Sequence, residues 1–247
     1  MLSEPPTTAY DLRFSLLGIP VRVHPFFWLV GVILGANGDR TALILWPSVL
    51  FVSILVHEMG HALIMRYFGL RPRVVLYSFG GLAIPDSDYS PFGGSRPRIG
   101  PLERILYTLA GPGAGFMLAA LVVMFILLTG GHIDLNLAKF PLFWRGKLAV
   151  ESPELQSLVS MLLYVNIFWG LVNLLPVYPL DGGQIARELM TLKDPWKGIV
   201  NSLWLSVFTS AAVAGWALFK TDHIFIALMF GMFAYSSYAT LERGSWH

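Results

Sequence analysis

Residues 41–65 read TALILWPSVLFVSILVHEMGHALIM, an apolar run without lysine, arginine or aspartate. Its only ionisable side chains are His57, Glu58 and His61, gathered into five residues near one end. A helix that crosses about 30 Å of hydrocarbon needs roughly 20 apolar residues, so the run predicts a membrane span. Ionisable groups inside such a span are costly and usually mark function. Three in one helix therefore predict a site at membrane depth.

The rest of the chain agrees with lipid as its solvent. Of 247 residues, 55% are hydrophobic and 13% charged, against about 25% charged in soluble proteins; the mean hydropathy is +0.63. Further apolar runs fall at about 25–38, 105–129, 157–180, 199–219 and 223–240. The expected fold is an all-α polytopic membrane protein of about six transmembrane helices, forming one integral-membrane domain over residues 1–247. With the N-terminus inside, twelve of the 17 Lys and Arg fall on the inner side and five on the outer. Cytoplasmic loops are enriched in these residues, so both termini are expected in the cytoplasm of a cell-membrane protein. The first 24 residues lack the basic region, apolar core and small-residue site of a cleaved leader, and none is expected. The net charge of +2 is not concentrated on one basic face, which argues against a nucleic-acid partner.

Between the second and third runs, Val74–Phe79, Gly80–Gly81 and Leu82–Ile84 form a β-rich run, two glycines and a second apolar run. This predicts a hairpin over about 74–84, and such backbone at membrane depth must be buried in protein or line a cavity. Residues 85–98 are rich in Asp, Ser, Pro, Gly and Arg and predict a flexible surface loop. Residues 130–154 read as an irregular amphipathic segment at the interface.

His57 and His61 are separated by four residues. On an α-helix they sit about 40° apart and about 6 Å along the axis, so both imidazoles can reach one metal ion. Glu58, about 100° around from His57, can contact water at that ion without ligating it. The plain alternative is three polar residues pairing with one another. Cysteine is absent, so a metal must be held by nitrogen and oxygen. Catalytic zinc commonly has three protein ligands, and a third must come from elsewhere. Asp11, Asp39, Asp86, Asp88, Asp134, Asp194 and Asp222 occupy terminal or loop stretches; Asp181 alone among the aspartates ends an apolar span, on the same side as His61. It follows Pro176 and Pro179, which should interrupt the helix and turn its backbone. His24, His132, His223 and His247 lie outside spans or at their ends, where surface or interfacial placement is expected.

With these residues in view, the sequence resembles the site-2 protease family of intramembrane zinc metalloproteases, peptidase family M50. It resembles the compact branch that includes sporulation-factor processing enzymes, without a PDZ or CBS domain. The stretch 173–182, NLLPVYPLDG, is similar to the family's second signature, in which the aspartate is the third zinc ligand. Phe79-Gly80-Gly81 resembles the family's membrane-associated hairpin, residues 110–115 (AGPGAG) the small-residue start of its third core helix, and Gly18-Ile19-Pro20-Val21 with His24 its N-terminal lead-in. The glycine-rich run also has a packing explanation, because small residues let helices approach closely.

The resemblance implies one catalytic zinc held by His57, His61 and Asp181, with Glu58 as general base. Asn173 then holds substrate or stabilises developing charge, or else makes a helix-packing hydrogen bond. The implied substrates are membrane-embedded proteins, cut in or near their transmembrane segments toward the cytoplasmic side of the lipid bilayer. A transmembrane metal-ion transporter and a catalytically inactive membrane scaffold are the alternatives; the sequence says nothing of oligomeric state.

Overall fold

The computed structural model describes residues 4–36, 40–78, 80–85, 99–136, 143–149, 152–220 and 224–244. The expected surface loop beyond Pro85, together with Gly38, Asp39, Phe79, Asp222, His223 and His247, lies outside the described residues. The chain falls into two compact units. One holds Ser3–Arg98 and Ala110–Leu171, the other Ile99–Leu109 and Val172–His247.

In the first unit, strands β1 (Leu12–Leu16) and β2 (Ile19–Val23) form an antiparallel hairpin, with Leu16 opposite Ile19. Its two-residue turn has φ of +50° at Leu17 and +76° at Gly18. Two positive φ values match the twist of the flanking strands, and only the glycine adopts one without strain. Helices α1 (Pro25–Gly35) and α2 (Arg40–Tyr67) follow, then β3 (Pro72–Tyr77) and β4 (Gly80–Pro85). The helices act as the crossover that lets β3 pair parallel to β2, giving a four-stranded sheet in the order β1-β2-β3-β4. The expected hairpin at 74–84 is thus β3–β4, half of a larger sheet. The N-terminal strands are an addition to the sequence reading, their alternation masked by Pro20 and Gly18.

The sheet's inner face sets the rotation of α2. Ile19, Val21, Val23, Val74 and Leu76 pack with Phe27 of α1 and with Met59 and Ala62 of α2 in one buried cluster. His24, expected at a surface, is instead buried as the N-cap of α1. Its Nδ1 accepts from the Phe26 amide at 3.3 Å, and its own amide donates to Leu76 O at 2.9 Å. The cap satisfies one of the orphan amides at the helix N-terminus.

Helix α3 (Pro101–Leu128) follows, then strands β5 (His132–Asn136) and β6 (Phe143–Lys147) as an antiparallel pair. Two strands therefore replace the irregular segment expected over 130–154; backbone pairing between separated stretches was not visible in local composition. Helix α4 (Pro153–Leu163), capped by Ser152, continues through a π turn (Tyr164–Trp169) into α5 (Gly170–Asn173). Ala119, Val122 and Ile126 of α3 bury against Val159 and Leu163 of α4.

In the second unit, α5 gives way at residues 174–180 to a turn, and Asp181 opens a separate helix α6 (Asp181–Thr191). The fourth span consequently ends at Asn173 rather than near 180, as Pro176 and Pro179 require. Helices α7 (Pro195–Lys220) and α8 (Ile224–Arg243) complete the unit, with Val177, Ala214 and Phe230 in its core. Among the described residues, five helical stretches are long and apolar enough to cross a membrane: Arg40–Tyr67, Pro101–Leu128, Pro153–Asn173, Pro195–Phe219 and Ile224–Arg243. The first predicted span is the 11-residue apolar α1, about 16 Å long. The fold is that of a polytopic, mainly helical integral membrane protein with a small sheet.

An ion-pair cluster fastens the N-terminal segment to this sheet. The buried Arg22 guanidinium donates to Asp11 at 3.0 Å, Glu4 at 2.9 Å and Pro5 O at 2.9 Å, while Glu4 also accepts from Arg73 at 2.8 Å. Burial works to raise the Asp11 carboxyl, but Thr8 and then Arg22 outweigh it and bring it from 3.8 down to about 2. A depressed carboxylate stabilises the fold above its unfolded value and loses that contribution as pH falls toward the folded one. Asp11→Asn should therefore lower the melting temperature in detergent near neutral pH. The gap to wild type should close as pH falls from about 4 toward 2.

Candidate metal centre

At 100° per residue, α2 offers three directions over residues 57–62. Met59 and Ala62 face the sheet. Gly60 faces α3, where a Cβ in its place would lie 2.8 Å from the Ala114 Cβ and 2.9 Å from the Ala110 carbonyl carbon. His57 and His61 project from the arc between, with Glu58 on its sheet side.

The ring nitrogens Nε2 of His57 and His61 are 3.1 Å apart, their rings edge to face at 81°. One ligand atom from each of His57, Glu58 and His61 falls within 4.8 Å of the others, with Glu58 and His61 buried and His57 half-buried. Two glycines shape the surroundings. A Cβ on Gly81 of β4 would sit 2.6 Å from the Glu58 Cδ, and one on Gly111 of α3 would enter the His61 ring, 2.8 Å from Cδ2. Both side chains therefore depend on a neighbouring backbone that carries none. Burial, and then the Glu58 carboxylate, push the half-buried Tyr77 phenol up, which puts Tyr77 within the field of Glu58.

One turn before His57, Ser53 accepts a 2.8 Å hydrogen bond from Asn166 Nδ2, which also donates to Leu162 O at 2.9 Å. Asn166 lies in the π turn, where the wider helix re-aims side chains. Away from water, such a hydrogen bond fixes one helix against another. Sequence reasoning passed over both residues, although an asparagine within an apolar span was a visible signal.

Asp181 and Asn173 belong to the second unit. Asp181 is 8% exposed at the first turn of α6, where the helix N-terminus favours negative charge. The preceding turn is fastened to α7: the Tyr178 amide donates to the Ser206 hydroxyl at 2.9 Å, and Ser206 shares a 2.8 Å hydrogen bond with Ser237 of α8. Gly183 lets α6 close on this turn, since a Cβ there would be 2.5 Å from the Tyr178 nitrogen. Asn173, the last residue of α5, is half-buried. His132 is exposed.

Residues 47–214 match the model of peptidase family M50. The chain belongs to that family. It is 27% identical to a zinc metalloprotease of Methanocaldococcus jannaschii over 189 residues, which is 74% of this chain and 47% of that protein. It is also 27% identical to the stage IV sporulation protein FB of Bacillus subtilis over 215 residues, 81% of this chain and 62% of that one. The chain thus spans about half the length of the relatives it matches. The solved site-2 protease from M. jannaschii shares the fold, with a TM-score of 0.56 over 93% of this chain and 94% of that one at 22% identity.

The residues present fit a zinc ion. Tetrahedral ligation at about 2.0–2.1 Å places two nitrogens roughly 3.3 Å apart, and the two imidazoles stand at 3.1 Å. Imidazole nitrogens are donors suited to zinc in a protein without cysteine.

The glycine cradle gives a direct check. Gly111→Ala drives a methyl group into the His61 ring and should reduce the zinc retained by purified protein several-fold, measured by mass spectrometry of the metal. Gly113→Ala, two residues on and facing open space, should retain the wild-type amount.

Proposed function

We propose that this chain is a zinc-dependent intramembrane endopeptidase that hydrolyses peptide bonds in or near the transmembrane segments of membrane-tethered proteins. The observation that carries the reading is the His57–Glu58–His61 group, largely buried on a membrane-length helix in a member of peptidase family M50. His57, His61 and Asp181 hold one zinc ion in this proposal. Zinc bound there supplies Lewis acidity toward a peptide carbonyl and toward water.

The chain's own residues do the rest. Glu58 takes the proton from the attacking water and returns it to the leaving amine nitrogen. Its approach from the sheet side, against the bare backbone of Gly81, leaves its carboxylate beside the histidine pair without competing for their position. Asn173 offers its amide to the developing oxyanion or to the substrate backbone. Ser206 acts at one remove by holding the turn that leads into Asp181.

A helical substrate hides its peptide bonds in its own hydrogen bonds and must be extended before attack. Strand β4 lies at the edge of the sheet order β1-β2-β3-β4 and carries Gly81 against Glu58. An extended substrate segment adds to this edge as a further strand, which exposes its backbone beside the general base. The distribution of Arg and Lys supports an orientation with both ends of the chain and the site toward the cytoplasm, in this reading of a cell membrane.

One cleavage assay with purified protein and single-span membrane substrates tests the set. Glu58→Gln should keep its zinc and lose about 10²–10⁴ in rate; zinc flux through either form without cleavage would favour a transporter, and cleavage unaffected by the substitution would remove Glu58 from the chemistry. Asn173→Ala should lower kcat by about 10²–10³ if the amide meets the oxyanion, and leave it unchanged if it only packs helices. Substrates N-methylated beside the scissile bond should be cut at least about tenfold more slowly; equal cleavage would discard strand addition.

A further inference from the structure

Helix α6 has 11 residues and is about 16 Å long, too short to cross hydrocarbon. It joins the end of one membrane-length stretch at Asn173 to the start of the next at Pro195, which places it at a membrane surface. Its sequence is two-sided. At about 100° per residue, Ile185, Ala186, Leu189, Met190 and Leu192 fill one arc of about 160°. Gln184, Arg187, Glu188 and Thr191 fill the opposite one.

The protein covers only part of the apolar arc. Helix α7 closes on Met190, where a Cβ on Gly198 would lie 2.5 Å from the Met190 carbonyl carbon. Leu189 and Leu192 nevertheless stay 51% and 52% exposed, and Trp196 in the first turn of α7 is 73% exposed. Cations stand along the same stretch: Arg187, Lys193 and Lys197 are all exposed, and among the described residues none of the three is ion-paired. The two carboxylates of the stretch are engaged elsewhere. Glu188 accepts from Arg104 at 3.2 Å, and Asp194 caps α7 by accepting from the Trp196 and Lys197 amides at 3.0 Å. A loop whose charges only set topology would need no ordered apolar face beside them. A protein partner would suit the leucines, but the surplus of cations at a bilayer surface favours headgroups.

We propose that α6 and the first turn of α7 dock onto anionic phospholipid, with Leu189, Leu192 and Trp196 among the upper acyl carbons and Arg187, Lys193 and Lys197 at the phosphates. Amphipathic helices with basic residues bind membrane interfaces in this way, and the cytoplasmic leaflet of the orientation proposed above is the anionic one. Because α6 opens at Asp181, the docked helix steadies the backbone that carries this carboxylate. Its bearing on zinc rests on the role proposed for Asp181; the docking does not.

The test uses the full chain in nanodiscs of phosphatidylglycerol and phosphatidylcholine in equal amounts. The chain has no cysteine, so single nitroxide labels can be placed at Leu189→Cys, Leu192→Cys and Gln184→Cys. The labels at 189 and 192 should collide more with dissolved oxygen than with a water-soluble nickel chelate, and the label at 184 the reverse. The same ratio at all three sites overturns the docking, as do labels at 189 and 192 shielded from both reagents, which would mean that protein covers this face. Native mass spectrometry reads the choice of lipid. Wild type should retain phosphatidylglycerol in preference, and each cation removed, in Arg187→Gln and then with Lys193→Gln and Lys197→Gln added, should weaken that preference about fivefold. No preference in wild type, or an unchanged one in the triple variant at wild-type melting temperature, overturns the anionic assignment. If the triple variant does not fold, the exposed Lys193→Gln alone decides by the same criterion. Neither readout needs bound zinc or cleavage, so the docking fails or stands separately from the endopeptidase reading.

Discussion

Two imidazoles and a carboxylate inside a helix that crosses hydrocarbon are expensive, and that expense organises the unit around α2. Met59 and Ala62 lock one side of the helix to the sheet, and Gly60 brings another against α3. What remains is a narrow arc carrying His57 and His61 with Glu58 at its edge. Rotation of α2 by a single residue would turn the histidines into packed neighbours and Met59 out of the core. The apolar contacts on the helix's far side thus keep the polar group in place.

The sheet has the same dependence one level further out. It supplies the apolar face that fixes α2 and the bare backbone of Gly81 that accommodates Glu58. Its own parallel pair, β2 and β3, is braced where Arg22 collects Glu4, Asp11 and the Pro5 carbonyl. In the second unit a corresponding logic holds the turn before Asp181, where a buried serine pair on α7 and α8 fixes the Tyr178 amide and the glycines after Asp181 let α6 close over the turn. Glu58, His61 and the turn before Asp181 are positioned by groups with no side chain or a short hydroxyl, which leaves little freedom to substitute larger residues.

Much of this was legible in the sequence because it rests on local spacing. The five long apolar runs, the four-residue separation of His57 and His61, and the interruption at Pro176 and Pro179 are all readable within one segment. Strands β1, β2, β5 and β6 escaped because short strands are defined by partners distant in sequence, and β2 carries a proline in its second position. His24 was expected at a surface for the same reason: only the pairing of β2 with β3 buries it. Gly81 and Gly111 were visible as small residues in resembling motifs, but that one backs Glu58 and the other His61 depends on tertiary packing. The Asn166–Ser53 bond joins residues 113 apart, a distance across which sequence spacing carries no information.

The central claim is that the paired histidines of α2 hold zinc within the membrane. X-ray absorption at the zinc edge of purified protein tests it most directly. The account expects about one zinc per chain with two imidazole nitrogens and at least one oxygen at about 2.0–2.2 Å, and one imidazole fewer in His57→Ala. A metal-free protein, or a zinc shell unchanged by His57→Ala, would contradict it.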